Sequence, residues 1–77
     1  MGMLKIFCVD FGNIEQLKKG ILKYTDLTEE DVKNSKWLKE YEIGPYVAFR
    51  TRIKNYEIAI EPSFDQTLWY VYVEKID

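Results

Sequence analysis

Two arginines, Arg50 and Arg52, carry the most informative chemistry in this sequence, because every other basic residue is a lysine. A guanidinium group pairs in a planar way with carboxylates or phosphates, and it stacks on aromatic rings. Glu57 and Glu61 follow closely in the chain. We therefore expect Arg52 to pair with Glu57, and Arg50 to pair with Glu57 or Glu61, across neighbouring strands.

Glu57 and Glu61 also form the best pair of carboxylates for general acid and base catalysis. Both have arginine partners in the expected pairing, and a chain of 77 residues rarely encloses a cleft that holds a substrate. We therefore expect that this protein is not an enzyme.

The segment Asp10–Asn13 stands at the junction of a predicted strand and a predicted helix, where α/β proteins bind anions. Its single glycine and the negative charge of Asp10 favour a capped turn instead. One cysteine and no histidine exclude disulfide frameworks, zinc sites and imidazole-based mechanisms. We expect Cys8 to serve in packing, and we predict no cofactor.

A calcium site is also not predicted. Asp26, Thr28 and Glu30 match the first ligand positions of a calcium-binding loop, but Asp31 stands where that loop needs glycine. The expected metal content is therefore none.

Composition and charge indicate a single folded domain, residues 1–77. Hydrophobic residues make up 47% of the chain and charged residues 31%, which separates it from disordered proteins. The net charge of −2 excludes the strongly basic surface typical of nucleic-acid-binding domains. No apolar run approaches the ~20 residues of a membrane span, so we expect a cytoplasmic protein without membrane association. The residues Met1–Gly2 either belong to the native protein or were added ahead of a native Met3.

The second half of the chain predicts an antiparallel hairpin. Tyr46–Ile53 and Tyr56–Glu61 are the expected strands, and they are joined at Lys54-Asn55, where Asn55 tolerates the positive φ of a tight turn. This turn fixes the register and separates an apolar face from a polar one. The expected pairs are Ile53 with Tyr56, Thr51 with Ile58, Phe49 with Ile60, and Val47 with Pro62.

The first half predicts a strand and a helix. Leu4–Phe11 is apolar on both sides, a pattern typical of a strand covered on both faces. Asn13 is the expected N-cap of a helix that runs to about Tyr24, with Gln16 at the third helical position. Gly20 inside that helix indicates close packing or a bend. The expected buried stripe consists of Ile14, Leu17, Ile21 and Tyr24.

A second helix is predicted from Thr28 to about Tyr41, ended by Gly44-Pro45. After the hairpin and the loop Pro62–Thr67, Leu68–Ile76 is the last expected strand. The order β-α-α-β-β-β predicts a small α+β fold with about four mainly antiparallel strands. The simplest closure places the first strand beside the last and both helices on one face.

This arrangement leaves an aromatic and apolar surface on the sheet face away from the helices, where Leu4, Ile6 and Cys8 lie beside the last strand. Such a surface predicts a protein-binding module, most simply a regulatory or inhibitory protein that docks on a partner or on a second copy, and its small size would suit a phage or mobile-element product. We expect the variants Tyr72→Glu and Leu68→Glu to abolish association without unfolding the chain. The predicted binding residues are Leu68, Tyr70, Tyr72, Arg50, Arg52 and Tyr46.

Two alternatives remain open from the sequence. The strand Tyr46–Ile53 lacks an obvious neighbour on one side and offers an edge to another chain's strand. A sheet that presents tyrosines beside Arg50 and Arg52 can also stack single-stranded nucleic acid. The acidic neighbours of these residues and the absence of an aromatic-glycine motif count against nucleic acid.

Overall fold

A five-stranded antiparallel sheet with two helices forms the framework of the chain. The computed structural model describes residues 4–76, so the status of Met1–Gly2 lies outside the described residues. The predicted α+β class is confirmed, and the first strand pairs with the last one as expected. The sheet order is β1-β5-β4-β3-β2. The elements are β1 (Leu4–Asp10), α1 (Ile14–Tyr24), α2 (Glu29–Lys33), β2 (Leu38–Ile43), β3 (Tyr46–Ile53), β4 (Tyr56–Pro62) and β5 (Leu68–Lys75).

The second helix is much shorter than predicted, and a strand takes its place. Helix α2 ends at Lys33, and Leu38–Ile43 forms β2, so the sheet has five strands where four were expected. A β-bulge between Lys39 and Tyr41 adds one residue to β2. Leu38 and Tyr41 therefore lie on the same face of β2 although they are three residues apart. In a sequence, apolar residues at this spacing indicate a helix and not a strand.

Gly44-Pro45 forms the tight turn of the β2–β3 hairpin and does not end a helix. Gly44 has φ +57°, a conformation that glycine adopts without steric cost. Because β2 pairs with β3, the prediction that Tyr46–Ile53 is an edge strand was wrong. The two sheet edges are β1 and β2.

The β3–β4 hairpin has the predicted register for Ile53–Tyr56, Thr51–Ile58 and Phe49–Ile60. The ladder stops there, so the predicted Val47–Pro62 pair does not form. The positive φ of the turn falls on Lys54, at +54°, and not on Asn55.

Strand β1 is covered on one face only, contrary to the expectation from its two apolar sides. Its alternate residues Phe7 and Val9 pack into the core, whereas Ile6 and Cys8 are exposed. Cys8, which we expected to serve in packing, is therefore exposed and lies outside the core.

The core lies between the sheet and α1, where Ile21, Ile58 and Val71 are completely buried. In α1, Leu17 and Ile21 are buried as predicted, but Ile14 is 61% exposed. Ile14 is the first helical residue, one turn before α1 reaches the sheet.

Both helices begin with a side-chain cap: the one at Asn13 was predicted, and Thr28 was predicted only as the start of α2. The side chain of Asn13 accepts a hydrogen bond from the backbone N–H of Gln16, and Thr28 forms a reciprocal capping box with Asp31. These bonds satisfy backbone donors that have no partner inside the helix. The segment Asp10–Asn13 is thus a capped turn, as predicted.

Candidate functional site

The face of the sheet opposite the helices, here called the outer face, collects side chains from all five strands. Because side chains alternate along each strand, the register places one residue per strand in a single row across the sheet. That row consists of Ile6, Tyr72, Ala59, Arg50 and Leu38.

All six residues predicted to bind a partner lie on the outer face, and four of them are half-buried. Tyr70 and Tyr72 alternate with the buried Val71 and Val73, so their rings lie on the side away from the core. The two arginines are exposed. The half-buried residues are Tyr46, Leu68, Tyr70 and Tyr72.

A hydrogen-bonded chain of side chains crosses four strands on this face. The Tyr72 hydroxyl donates to Glu61 Oε1 at 2.7 Å, and the Tyr41 hydroxyl donates to Glu61 Oε2 at 3.3 Å. Tyr41 lies on β2 and Glu61 on β4, so their bond passes over β3. Ala48 of β3 is only 2% exposed although no helix covers it. We call this chain the Tyr41–Glu61–Tyr72 bridge.

The bridge also changes the acidity of both phenols. The hydrogen bond to Glu61, together with burial, raises the pKa of Tyr72 to about 12. Burial and the nearby negative charge of Glu61 raise the pKa of Tyr41. Both hydroxyls therefore remain neutral donors at physiological pH, and each holds one oxygen of the Glu61 carboxylate.

Arg50 lies between two glutamates. Its Nη1 donates to Glu57 Oε1, and its Nη2 donates to Glu40 Oε1 at 3.0 Å. The hydrogen bonds to Glu40 and then to Glu57 raise the pKa of Arg50. The predicted Arg50–Glu57 pair is thus confirmed, and Glu40 was missed because its segment was expected to be helical.

Arg52 does not form the ion pair that the sequence predicted. It lies opposite Glu57 in the register, but within residues 4–76 no ion pair joins the two. Glu57 instead pairs with Arg50, which lies on β3 two residues before Arg52.

The bridge and Arg50 surround a shallow cavity of about 370 Å³. Ala48 and Ala59 line it from the middle of the sheet, where their small side chains leave room. Leu4 of β1 and Tyr41 of β2 also line it, although these strands are the two edges of the sheet. The outer face is therefore concave.

The charge of the outer face is negative. Four glutamates and one arginine line the cavity. Asp10 of β1 and Arg52 of β3 also lie on this face, so its acidic side chains still outnumber its basic ones. The register also places Glu57 directly opposite Glu74 on the neighbouring strand. Like charges in directly opposed positions destabilise a sheet.

Exposed apolar side chains border the cavity on both sides. Leu4 and Ile6 of β1 are exposed at one edge, and Leu38 and Ile43 of β2 at the other, where Ile43 is 68% exposed. We call these two groups the apolar rims. The rim on β2 was missed because β2 was predicted as a helix, although the turn signal of Gly44-Pro45 was available to find it.

A second, smaller cleft of about 300 Å³ extends the β2 rim towards the loop between β4 and β5. The Tyr46 hydroxyl donates to the backbone oxygen of Phe64 at 2.7 Å, and their rings are stacked at 6.3 Å. Phe64 is 90% exposed. It was also missed, because no periodic pattern marks a single loop residue.

Residues 4–76 contain no group of three or more side chains that could hold a metal ion. None of the helices in this range has both the length and the apolar character needed to cross a membrane.

Comparison with protein-family models, with curated proteins and with solved structures finds no match to this chain.

Proposed function

We propose that this chain is a small protein-binding module, a regulatory or inhibitory protein of the cytoplasm that docks a protein partner on its outer face. The observation that carries the proposal is the pair of exposed apolar rims beside a concave, uncovered sheet face. Large exposed apolar side chains gathered on one uncovered face of a folded domain are typical of an association surface.

The side chains between the rims have the composition of a binding surface. Tyrosine and arginine are enriched among residues that dominate binding energy. Tyr41, Tyr72 and Arg50 are already held by hydrogen bonds in the free chain. Fixing them in advance lowers the entropy that is lost on association.

A non-enzymatic role agrees with how the carboxylates are used. Both oxygens of Glu61 accept hydrogen bonds from tyrosine hydroxyls, and Glu57 is bound to Arg50. Neither carboxylate is arranged as a general base beside a nucleophile. The same contacts disfavour nucleic acid, because the Arg50 guanidinium is already neutralised by two glutamates.

Strand addition at the β2 edge is disfavoured by the structure of β2. A bulge interrupts the strand, and Lys39 and Glu42 carry charges along it, at 3.1 Å from each other. Bulges and charged side chains are the usual features that protect an edge strand from pairing. The outer face is therefore the proposed surface, rather than the edge.

The experiment compares three tagged variants with the tagged unchanged chain in lysate of the native host, by quantitative mass spectrometry. Ile43→Glu and Ile6→Glu place a charge on each apolar rim, and both side chains are exposed, so the fold is expected to persist. Ile14→Glu is the matched control, because Ile14 is equally exposed but lies on α1. We expect partner recovery to fall at least tenfold for the two rim variants and to be unchanged for Ile14→Glu.

Two results would contradict this proposal. One is equal recovery by all three variants and the unchanged chain. The other is recovery that disappears after nuclease treatment, which would favour a nucleic-acid ligand. The earlier variants Tyr72→Glu and Leu68→Glu are less suitable, because both side chains are half-buried and Tyr72 binds Glu61.

A further inference from the structure

The charges on the outer face restrict what kind of protein can cover it. Glu40, Glu57, Glu61 and Glu74 line the cavity, and Arg50 is the one arginine among the lining residues. A partner that covers this face removes these carboxylates from water, which is costly unless opposite charge replaces the lost hydration.

Resting on the proposed function, we propose that the partner is a basic amphipathic helix of a second protein, which lies along the outer face with a Lys or Arg side chain in the cavity and apolar side chains on the rims. Three features of the face support this occupant: its charge, its width and the position of its apolar residues.

The opposed pair Glu57 and Glu74 is the first feature. Arg50 pairs with Glu57, whereas Glu74 is exposed at the wall of the cavity. Because Arg50 also pairs with Glu40, its one positive charge is shared between two glutamates. The opposed pair Glu57 and Glu74 therefore keeps a net negative charge, which repels within the sheet and attracts a further cation. A Lys or Arg side chain also gains from the tyrosine rings of the bridge, whose faces attract cations.

The width of the face is the second feature. Four strand intervals of about 4.8 Å separate β1 from β2, so the rims are roughly 19 Å apart. A helix with its side chains is about 10–12 Å in diameter. It therefore fits between the rims with about 4 Å left on each side, a gap that the rim side chains have to span. The amphipathic helix in an apolar groove is a common mode of peptide recognition.

A second copy of the chain fits this face poorly. The acidic side chains of the outer face outnumber its two arginines, Arg50 and Arg52, so each of two copies packed face to face would bring a net negative charge to the contact. Interfaces that bring like charges together are disfavoured. The charge of the face thus selects a basic partner over self-association.

The experiment uses two synthetic helical peptides with identical leucine positions, one with lysine and one with glutamate at every polar position. Binding is measured by titration calorimetry and mapped by amide chemical shifts of the labelled full chain. We expect the leucine-lysine peptide to bind and to shift the amides of Ala48 and Ala59, and the leucine-glutamate peptide not to bind.

Charge variants test the role of the cavity. Glu74→Gln is expected to weaken binding of the leucine-lysine peptide about three- to tenfold, while the thermal midpoint of the free chain stays the same or rises, because a repulsive pair is removed. Glu15→Gln, on α1, changes the net charge by the same amount and is expected to leave the affinity unchanged.

The possible outcomes separate this inference from the proposed function. Two outcomes would overturn the basic helix and leave the protein-binding module intact. In the first, both peptides bind equally well to the outer face. In the second, neither peptide binds, although the rim variants still lose their partner. Peptide-induced shifts confined to α2, with its acidic first turn, would also overturn it. The basic helix would also be wrong if a single-stranded oligonucleotide shifted the amides of Ala48 and Ala59, or if the chain formed a dimer through the outer face. If neither peptide binds and the rim variants keep every partner, both proposals fail.

Discussion

Glu61 is the residue that organises the outer face, because it accepts hydrogen bonds from tyrosines on both sides. Tyr72 comes from β5 and Tyr41 from β2, so one carboxylate connects strands that are not neighbours. A hydrogen bond to a charged acceptor contributes more to stability than one between neutral groups. The bridge therefore stiffens the surface that the partner is proposed to contact.

The titration of Tyr72 tests the bridge directly. Its pKa is raised from 10.0 to about 12, because the neutral hydroxyl donates to Glu61. The stabilisation is complete below pH 10 and is lost as the pH rises through 12, since the unfolded chain ionises first. We expect Glu61→Gln to return the pKa of Tyr72 towards 10, measured by tyrosinate absorbance. If the absorbance that Tyr72→Phe removes belongs to a transition near pH 10 and not to one near pH 12, this expectation is wrong.

Gly20 tests the packing of α1 on β1. A Cβ at this position would overlap the aromatic ring of Phe7, which itself packs against Tyr24 at 5.3 Å. Alanine stabilises a helix by about 1 kcal/mol relative to glycine, but overpacking costs about 1–3 kcal/mol. We expect Gly20→Ala to lower the free energy of unfolding in urea by about 1 kcal/mol. Gly12→Ala is the control, because nothing lies within 4 Å of the position that an added Cβ would occupy. If Gly20→Ala instead raised the free energy of unfolding, the ring of Phe7 would be free to move aside.

At the level of elements, the loop between β4 and β5 is built around one buried hydroxyl. Ser63 Oγ donates to Asp65 Oδ1 at 2.8 Å and accepts from the backbone N–H groups of Thr67 and Leu68 at 3.2 and 3.1 Å. The hydrogen bonds from Thr67 and Ser63 lower the pKa of Asp65. This network fixes the loop that presents Phe64 beside the β2 rim.

Removal of this hydroxyl should be costly. Ser63→Ala removes the side-chain acceptor of the Leu68 N–H and one of the two acceptors of the Thr67 N–H, which also donates to Asp65 Oδ1. We expect a loss of about 1–3 kcal/mol in the free energy of unfolding. Thr67→Ala is the matched comparison, because its hydroxyl also donates to Asp65 but the residue is exposed. Its expected cost is below 1 kcal/mol. Equal losses in urea denaturation of both variants would show that Ser63 is not the centre of the loop.

At the level of the whole molecule, the sheet is covered on one face and open on the other. The apolar core lies on the helix side, whereas the open face combines apolar rims with an acidic centre. This distribution allows the free chain to fold alone, and its charge opposes face-to-face pairing of two copies.

We therefore expect a monomer at neutral pH, low ionic strength and micromolar concentration, measured by sedimentation equilibrium. A concentration-dependent dimer would contradict this expectation. If Ile6→Glu or Ile43→Glu dissociated that dimer while Ile14→Glu did not, the outer face would be a self-association surface.

The sequence by itself determined the cap at Asn13, the start of α2 at Thr28 and the alternation along β3, β4 and β5. These signals depend on residues within a few positions of one another. For the same reason the location of Leu68, Tyr70 and Tyr72 on one face followed from alternation alone. Their role in binding stays a prediction.

Only the tertiary structure decided β2, the concave shape of the outer face and the pairing of Arg50 with Glu40. The bulge after Lys39 places Leu38 and Tyr41 on one face at the three-residue spacing of a helix. Because β2 has few contacts with the core, only its pairing with β3 identifies it as a strand, and the sequence pattern does not encode that pairing. The exposure of β1 on its outer side and the Tyr41–Glu61–Tyr72 bridge likewise depend on which strands become neighbours. Those neighbours are fixed by burial of the common core, a property of the whole chain and not of any segment of it.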